Sequence, residues 1–140
     1  MGTWRRGQVV VCCLVATASV SGCGSNRAAD VQAVASRFYT AVADQNGGDA
    51  CALLAPPTRS SVEQSEKKPC ADAIMAAGLR PAADLRRVRV YGTMAQVTWA
   101  GDVTFLTRYG AAWRVLAAGC SVPPPSQRTA ERYDCTVEAG

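Results

Sequence analysis

The strongest constraint on the fold of this chain is a change in apolar periodicity near Pro81. Before it, apolar residues recur at spacings of three and four from Val31 to Val42, which predicts an amphipathic helix from Ala28 to about Asp44. After it, runs of strand-forming residues are separated by Gly-containing breaks, which predicts a sheet. A chain of 140 residues with helices first and strands last is expected to form one α+β domain.

Shorter helical segments are predicted between the first helix and the strands. One of them carries Cys51 and is stopped by Pro56-Pro57. Ser60 and Glu63 have the spacing of a capping box, which predicts that the next helix opens at Ser60. Pro69 predicts a restart of the helix at its first turn. The first half of the chain is therefore expected to be helical.

Four strands are readable after Pro81, and a fifth is expected near the end of the chain. Because the connections between the four are short, neighbouring strands must be antiparallel, which predicts a meander with one face covered by the helices. Pro123-Pro124-Pro125 cannot continue a sheet. The expected strands are Leu85–Tyr91, Met94–Ala100, Val103–Arg108 and Trp113–Ala118, with Tyr133–Val137 returning as an edge strand.

The first 22 residues have the parts of an export signal. Arg5 and Arg6 precede an apolar run from Val9 to Val20, which is about 18 Å long as a helix and too short for a bilayer core of about 30 Å. Val20-Ser21-Gly22-Cys23 resembles the bacterial lipobox, which implies that Cys23 carries acyl chains such as palmitate and becomes the first residue. Two or more acyl chains hold a protein stably at a membrane.

This signal predicts three parts: a lipoprotein signal peptide at 1–22, a lipidated tether at 23–27 and the folded domain at 28–140. The expected location is the extracytoplasmic face of the cell membrane. Two alternatives stay open: an ordinary secretory cleavage site that leaves Cys23 a thiol, and twin-arginine export, for which the residues after Arg5-Arg6 lack the expected apolar character.

Seven cysteines divide between the leader and the domain. With Cys12, Cys13 and Cys23 set aside, four remain for the domain: Cys51, Cys70, Cys120 and Cys135. An exported chain meets an oxidising compartment, so these four are expected to pair, and three connectivities are open. We expect Cys51–Cys70 and Cys120–Cys135, because each pair lies in one half of the chain. A zinc site is disfavoured, since its cysteines usually lie about two to four residues apart.

The chain contains no histidine. This removes the commonest general base and the commonest metal ligand, so most hydrolase mechanisms are disfavoured and neither a metal nor a cofactor is expected. Without Arg5 and Arg6 the 15 basic residues fall to 13, against 11 acidic ones, which leaves a formal charge of +2. No nucleic-acid-binding field follows from so small a charge.

Short phrases in both halves carry a resemblance to a known family. Phe38-Tyr39-Thr40-Ala41-Val42, Gly48-Asp49-Ala50-Cys51 and Pro69-Cys70-Ala71 look like the helical half of small actinobacterial lipoproteins. The runs from Trp113 to Cys120 and from Tyr133 to Cys135 look like their sheet half. The whole resembles the cystatin-like cone of the nuclear transport factor two superfamily. That resemblance implies helices packed on a twisted antiparallel sheet of four to five strands.

The enzymes of that superfamily, ketosteroid isomerases and polyketide cyclases among them, hold an Asp or His base in the cone. Here Asp102, beside Gly101, is the strongest candidate for such a base, although it also stands at an ordinary turn position. An apolar-ligand pocket, or simply the core, would be formed by Tyr39, Trp99, Phe105 and Trp113. A surface for anionic lipid headgroups, or a solvated strand face, would be formed by Arg80, Arg86, Arg87 and Arg89.

The sequence thus predicts a membrane-anchored, non-enzymatic domain that offers its sheet face or cone mouth to another envelope protein or to a ligand. The alternatives are a small apolar-ligand binder and an isomerase or cyclase. A filled cone favours the interaction domain, and an apolar pocket favours the binder. An enzyme requires a desolvated carboxylate within reach of the cavity.

Overall fold

The computed structural model describes residues 23–121 and 133–140. Five strands form one antiparallel sheet in the order β1-β2-β3-β4-β5. The predicted α+β class and the meander are confirmed. The predicted leader and the three consecutive prolines lie outside the described residues. The elements are α1 (Cys23–Ala43), α2 (Gly47–Leu53), α3 (Pro56–Glu66), α4 (Cys70–Ala76), β1 (Leu85–Tyr91), β2 (Met94–Trp99), β3 (Asp102–Tyr109), β4 (Ala112–Ser121) and β5 (Asp134–Glu138).

Two-residue turns set the register of the sheet. Tyr91 pairs with Met94, so β1 and β2 are joined by Gly92 and Thr93 alone. Gly92 has a φ of 58°, in the left-handed region that such hairpin turns require and that glycine adopts without a steric penalty. The same arrangement recurs at Gly110, between β3 and β4. The Gly-containing breaks were therefore sufficient to predict β1 to β4 to within a few residues.

Two helices begin earlier than predicted. The first helix begins at Cys23 rather than Ala28, so residues 23–27, predicted as a tether, are helical. The third begins at Pro56 rather than Ser60, and the predicted capping box is wrong. Proline is accepted in a first helical turn because its missing N–H has no partner there in any case. Glu63 instead accepts a hydrogen bond from the backbone N–H of Cys70, 3.2 Å away, across the turn between α3 and α4.

The core lies between the helices and one face of the sheet, which we call the inner face. From α1 it takes Val31, Ala35 and Phe38, each fully buried, at helical spacing. From the sheet it takes alternate residues of the strands, because successive side chains of a strand point to opposite faces. The inner-face residues are Ala95, Val97, Trp99, Leu106, Trp113 and Val115.

A second, smaller cluster covers part of the opposite, outer face. Val103, Ala117 and Cys120 are buried there, with Phe105 and Tyr133 packed against them. The rings of Phe105 and Tyr133 meet edge to face at 4.8 Å. Because Tyr133 directly precedes β5, this cluster fixes the last strand to the rest of the sheet.

Both predicted disulfides are present. Cys51–Cys70 joins α2 to α4, and Cys120–Cys135 joins β4 to β5. In the chain-entropy account, a closed loop of this size stabilises a fold by about 3 kcal/mol. No helix within residues 23–121 and 133–140 is both long enough and apolar enough to cross a membrane.

The close approach of α2 and α4 depends on Gly47, and this yields the first prediction. A Cβ at Gly47 would lie 2.0 Å from the carbonyl oxygen of Ala71, whereas a Cβ at Gly48 would meet nothing closer than 3.6 Å. We expect Gly47→Ala to lower the free energy of unfolding by about 1–3 kcal/mol, because the backbones must separate. Gly48→Ala, its matched control, should raise it by about 0.5–1 kcal/mol through helix propensity. Urea unfolding under non-reducing conditions measures both, and equal effects would contradict the packing described here.

Candidate functional site

The hydroxyl of Tyr39 is the centre of a buried hydrogen-bond network between α1 and the sheet. It donates to Oδ2 of Asp102 at the start of β3. It accepts from Oγ1 of Thr104 at 3.3 Å, and Thr104 in turn accepts from Nε1 of Trp99 at 3.0 Å. These bonds form a directed chain from an indole N–H to a carboxylate, through two hydroxyl groups.

A bulge in β4 supplies the remaining donor to this network. Phe105 pairs with Ala117 but Val103 pairs with Cys120, so β4 contains one residue more than β3 between the two pairs. Gly119 lies in this bulge with a φ of 66°, and its N–H donates to the Tyr39 hydroxyl at 3.2 Å. A Cβ at Gly119 would lie 2.7 Å from Oγ1 of Thr136 and 2.8 Å from a methyl group of Leu79, so only glycine fits.

Burial shifts both acidic groups of the network in the same direction. Desolvation raises the pKa of the Asp102 carboxyl above its ordinary value. It outweighs the groups that lower this pKa, which are the hydrogen bond from Tyr39, the nearby backbone N–H groups of Val103 and Cys120, and the charge of Arg80. Desolvation, and then the bond to Asp102, raises the pKa of the Tyr39 hydroxyl. Among the residues that the structure describes, Oδ1 of Asp102 is buried and has no hydrogen-bond partner. The site therefore holds a carboxyl group that is costly to ionise.

Asp102 borders a polar cleft of about 470 Å³. Arg80, Ser121 and Thr136 also line this cleft, and Gly119 forms part of its wall. The sequence predicts that Asp102 is either a turn residue or a base. The structure places it at a turn and also beside a cleft, with its carboxyl half-buried.

Of the four aromatic residues predicted to line a pocket, Tyr39 and Trp99 are in contact, whereas Trp113 lies on the same inner face near the β3–β4 turn. Tyr39, Trp99 and Trp113 are only 4–7% exposed and belong to the core between helices and sheet. Tyr39 and Trp99 meet edge to face at 5.6 Å and also border a small surface cleft of about 250 Å³. Phe105 does not join them, because it lies on the outer face beside Tyr133. The predicted four-residue pocket is therefore wrong for Phe105.

On the outer face, Phe105 borders a groove of about 630 Å³. Leu116 and Met94 contribute further apolar surface to this groove, and Tyr133 borders it on the β5 side. Gln96 donates a hydrogen bond from Nε2 to the Tyr133 hydroxyl at 3.1 Å. The groove is thus an open, partly apolar surface with a fixed aromatic pair beside it.

Sequence reasoning missed Thr104 and Gly119 as members of the site. Thr104 is fully buried on the inner face, whereas the sequence predicts only that it belongs to a strand. Gly119 did carry a signal, since a glycine inside a strand pattern indicates a bulge or a close backbone approach. Within residues 23–121 and 133–140, no three acidic or cysteine side chains group as a metal site.

Comparisons of the chain with protein-family models, with curated proteins and with solved structures returned no match.

The Tyr39 hydroxyl gives the second prediction. Tyr39→Phe leaves Asp102, Thr104 and the Gly119 N–H without their shared partner, so the free energy of unfolding should fall by about 1–3 kcal/mol. Tyr109→Phe removes the same hydroxyl from a side chain that is 44% exposed. This control should change stability by less than about 0.5 kcal/mol. Chemical denaturation of both variants makes the comparison, and an equal loss would contradict the network.

The Asp102 carboxyl gives a prediction on pH. Because its pKa is raised in the fold, the folded state binds the proton more tightly than the unfolded state does. This contribution to stability is complete below the unfolded pKa of about 3.9 and is lost as pH rises through the folded value. In Asp102→Asn the side chain is neutral throughout this pH range, and its carbonyl can still accept the hydrogen bond from Tyr39. Its stability relative to the wild type should therefore increase with pH.

Urea unfolding of the wild type and Asp102→Asn from about pH 4 to about pH 8 tests this sign. A difference in free energy that stays constant, or that moves against the variant as pH rises, would show that the carboxyl is not desolvated.

Proposed function

We propose that the protein is an exported lipoprotein, held by Cys23 at the extracytoplasmic face of the cell membrane, and that its domain is a non-enzymatic interaction module. The charged-then-apolar leader and the lipobox-like tetrad support the anchor. Two disulfides among the described residues support an oxidising compartment, because such bonds rarely persist in a reducing cytosol.

The filled interior carries the proposal of an interaction module. Phe38, Ile74 and Leu106 are fully buried where the helices meet the sheet, and their rings and branched chains fill the space that a ligand would need. The hydroxyls of Tyr39 and Thr104 bond to one another. Among the described residues, Oδ1 of Asp102 and Nε1 of Trp113 are the buried side-chain atoms left without a hydrogen-bond partner. Recognition is therefore left to the surface, and the outer-face groove beside Phe105 is the apolar part of that surface.

A cystatin-like cone is part of this proposal. The five-stranded antiparallel meander and the contacts of α1 with β1, β2, β3 and β4 support it. The bulge at Gly119 adds twist to the sheet, since bulges bend the strand that contains them. The aromatic core fills the interior of such a cone, so an apolar ligand held inside it has less support than an interaction surface.

Asp102 favours a second candidate function, that of an isomerase or cyclase. It is a desolvated carboxyl beside a cleft of about 470 Å³, and a raised pKa is what a general base working near neutral pH needs. Its Oδ2 already accepts the Tyr39 hydroxyl, however, and no histidine exists in the chain to share proton transfer. The interaction module is therefore the better-supported function.

The anchor is tested by Cys23→Ala in the organism that makes the protein. We expect the wild type in the membrane fraction, and the variant in the soluble or precursor pool, because it lacks the acyl chains that hold the chain at the bilayer. Immunoblotting of fractions and intact-mass analysis of the purified chain measure both. An unchanged distribution would contradict the anchor.

The same membranes separate the two candidate functions. After chemical crosslinking, the anchored wild type and Asp102→Asn should yield the same crosslinked envelope partner, since the carboxyl lies away from the outer face. Tyr133→Ser should lose that partner, because it removes the aromatic pair beside the groove. A crosslink that depends on Asp102 and not on Tyr133 would contradict the interaction surface and direct attention to the Asp102 cleft.

A further inference from the structure

We infer that the end of the sheet that carries the β1–β2 and β3–β4 turns docks on an anionic lipid surface. This inference rests on the proposed anchor at Cys23 and adds the orientation of the domain on its membrane. The surface consists of five exposed side chains, which we call the turn-end patch: Arg87, Arg89, Tyr91, Met94 and Tyr109.

The apolar members of the patch are unusually exposed for their size. Tyr91 is 57% exposed, Tyr109 44% and Met94 39%. They account for all but one of the exposed large hydrophobic residues in the described part of the chain, the other being Leu85. Tyrosine is favoured at membrane–water interfaces because its ring is apolar and its hydroxyl remains hydrated.

The two turns lie side by side. The backbone N–H of Arg108 donates to the carbonyl oxygen of Thr93 at 2.9 Å, which ties the β1–β2 turn to β3 two residues before the β3–β4 turn. Tyr91 pairs with Met94, and Met94 pairs with Thr107, two residues before Tyr109. Because a strand repeats its side-chain direction every two residues, the three exposed side chains belong to one face.

Two arginines add positive charge to the apolar side chains of the turn-end patch. Arg87 and Arg89 precede Tyr91 by four and two residues, so they lie on the same face of β1 as Tyr91. The other face of β1 carries Val88 and Val90, which pack on the core. The sequence from Leu85 to Ser121 holds a single acidic residue, Asp102. Asp102 stands at the opposite ends of the strands from the patch, beside Trp99. Arginines next to an anionic leaflet each strengthen binding, and their guanidinium groups suit phosphate oxygens.

A lipid surface explains the patch better than a second copy of the chain. β1 is an edge strand, and edge strands can pair with one another. Two copies of β1 paired antiparallel would bring Arg86, Arg87 and Arg89 of each chain close together, and facing like charges are destabilising. An anionic leaflet neutralises the same charges.

The test uses the lipidated protein purified from its own membranes and hydrogen–deuterium exchange. The protein is placed in detergent micelles, in phosphatidylcholine vesicles, and in vesicles that also contain phosphatidylglycerol. We expect the backbone amides at 92–93 and 110–111 to be protected in the phosphatidylglycerol vesicles only. The double substitution Arg87→Ser with Arg89→Ser should weaken docking about fivefold per arginine.

Lys67→Ser with Lys68→Ser is the matched control, because it removes two exposed positive charges from the turn between α3 and α4. It should leave the protection unchanged. Protection that is absent from the turns, equal in both kinds of vesicle, or equally reduced by the lysine variant would overturn the inference. Protection that rises with protein concentration in micelles would identify a second copy as the occupant.

Failure of the anchor would be visible separately. Intact-mass analysis of the same sample reports whether Cys23 is acylated. If it is not, cosedimentation of that protein with phosphatidylglycerol vesicles still tests the patch. The inference is overturned if the wild type and the double arginine variant then sediment equally.

Discussion

The hydroxyl of Tyr39 fixes the helical layer of this domain to its sheet. From one position on α1 it reaches Asp102 and Thr104 on β3 and the Gly119 amide in the β4 bulge. A buried polar atom without partners would cost about as much as a large core substitution, so all of these groups must be positioned together. The same hydrogen bonds therefore link three features of the fold: the position of α1, the bulge in β4 and the burial of Asp102.

Because this network lies within a filled core, only the surface of the domain is available for binding. On the inner face, the Tyr39 network and the aromatic core fill the space between the helices and the sheet. On the outer face, Phe105 and Tyr133 border a groove, and two arginines and two tyrosines stand exposed toward the turns. The disulfides reinforce this division, because one closes the helical layer and the other fixes β5 at the edge of the sheet.

Local patterns predicted most of the fold but little of the site. The strands followed from runs of strand-forming residues and from turns such as the one at Gly92, and the disulfides followed from the separation of the cysteines along the chain. The start of α3 was mispredicted because Pro56-Pro57 was read only as a stop, although proline also suits a first turn. Phe105 was placed with the inner aromatics because sequence alternation does not say which face is inner. That choice was decided by Thr104, whose hydroxyl gains partners in the core that no local pattern shows.

The most direct test of this account is a solution NMR measurement on the Tyr39 hydroxyl proton. The account predicts a resonance that exchanges slowly with water, with nuclear Overhauser contacts to the Gly119 amide and to Thr104, because the hydroxyl is buried and held by three groups. A hydroxyl proton that exchanges too fast to observe, together with a Gly119 amide that exchanges freely, would contradict it. In that case α1 would not be fixed to the sheet as described, and the closed interior would have no structural basis.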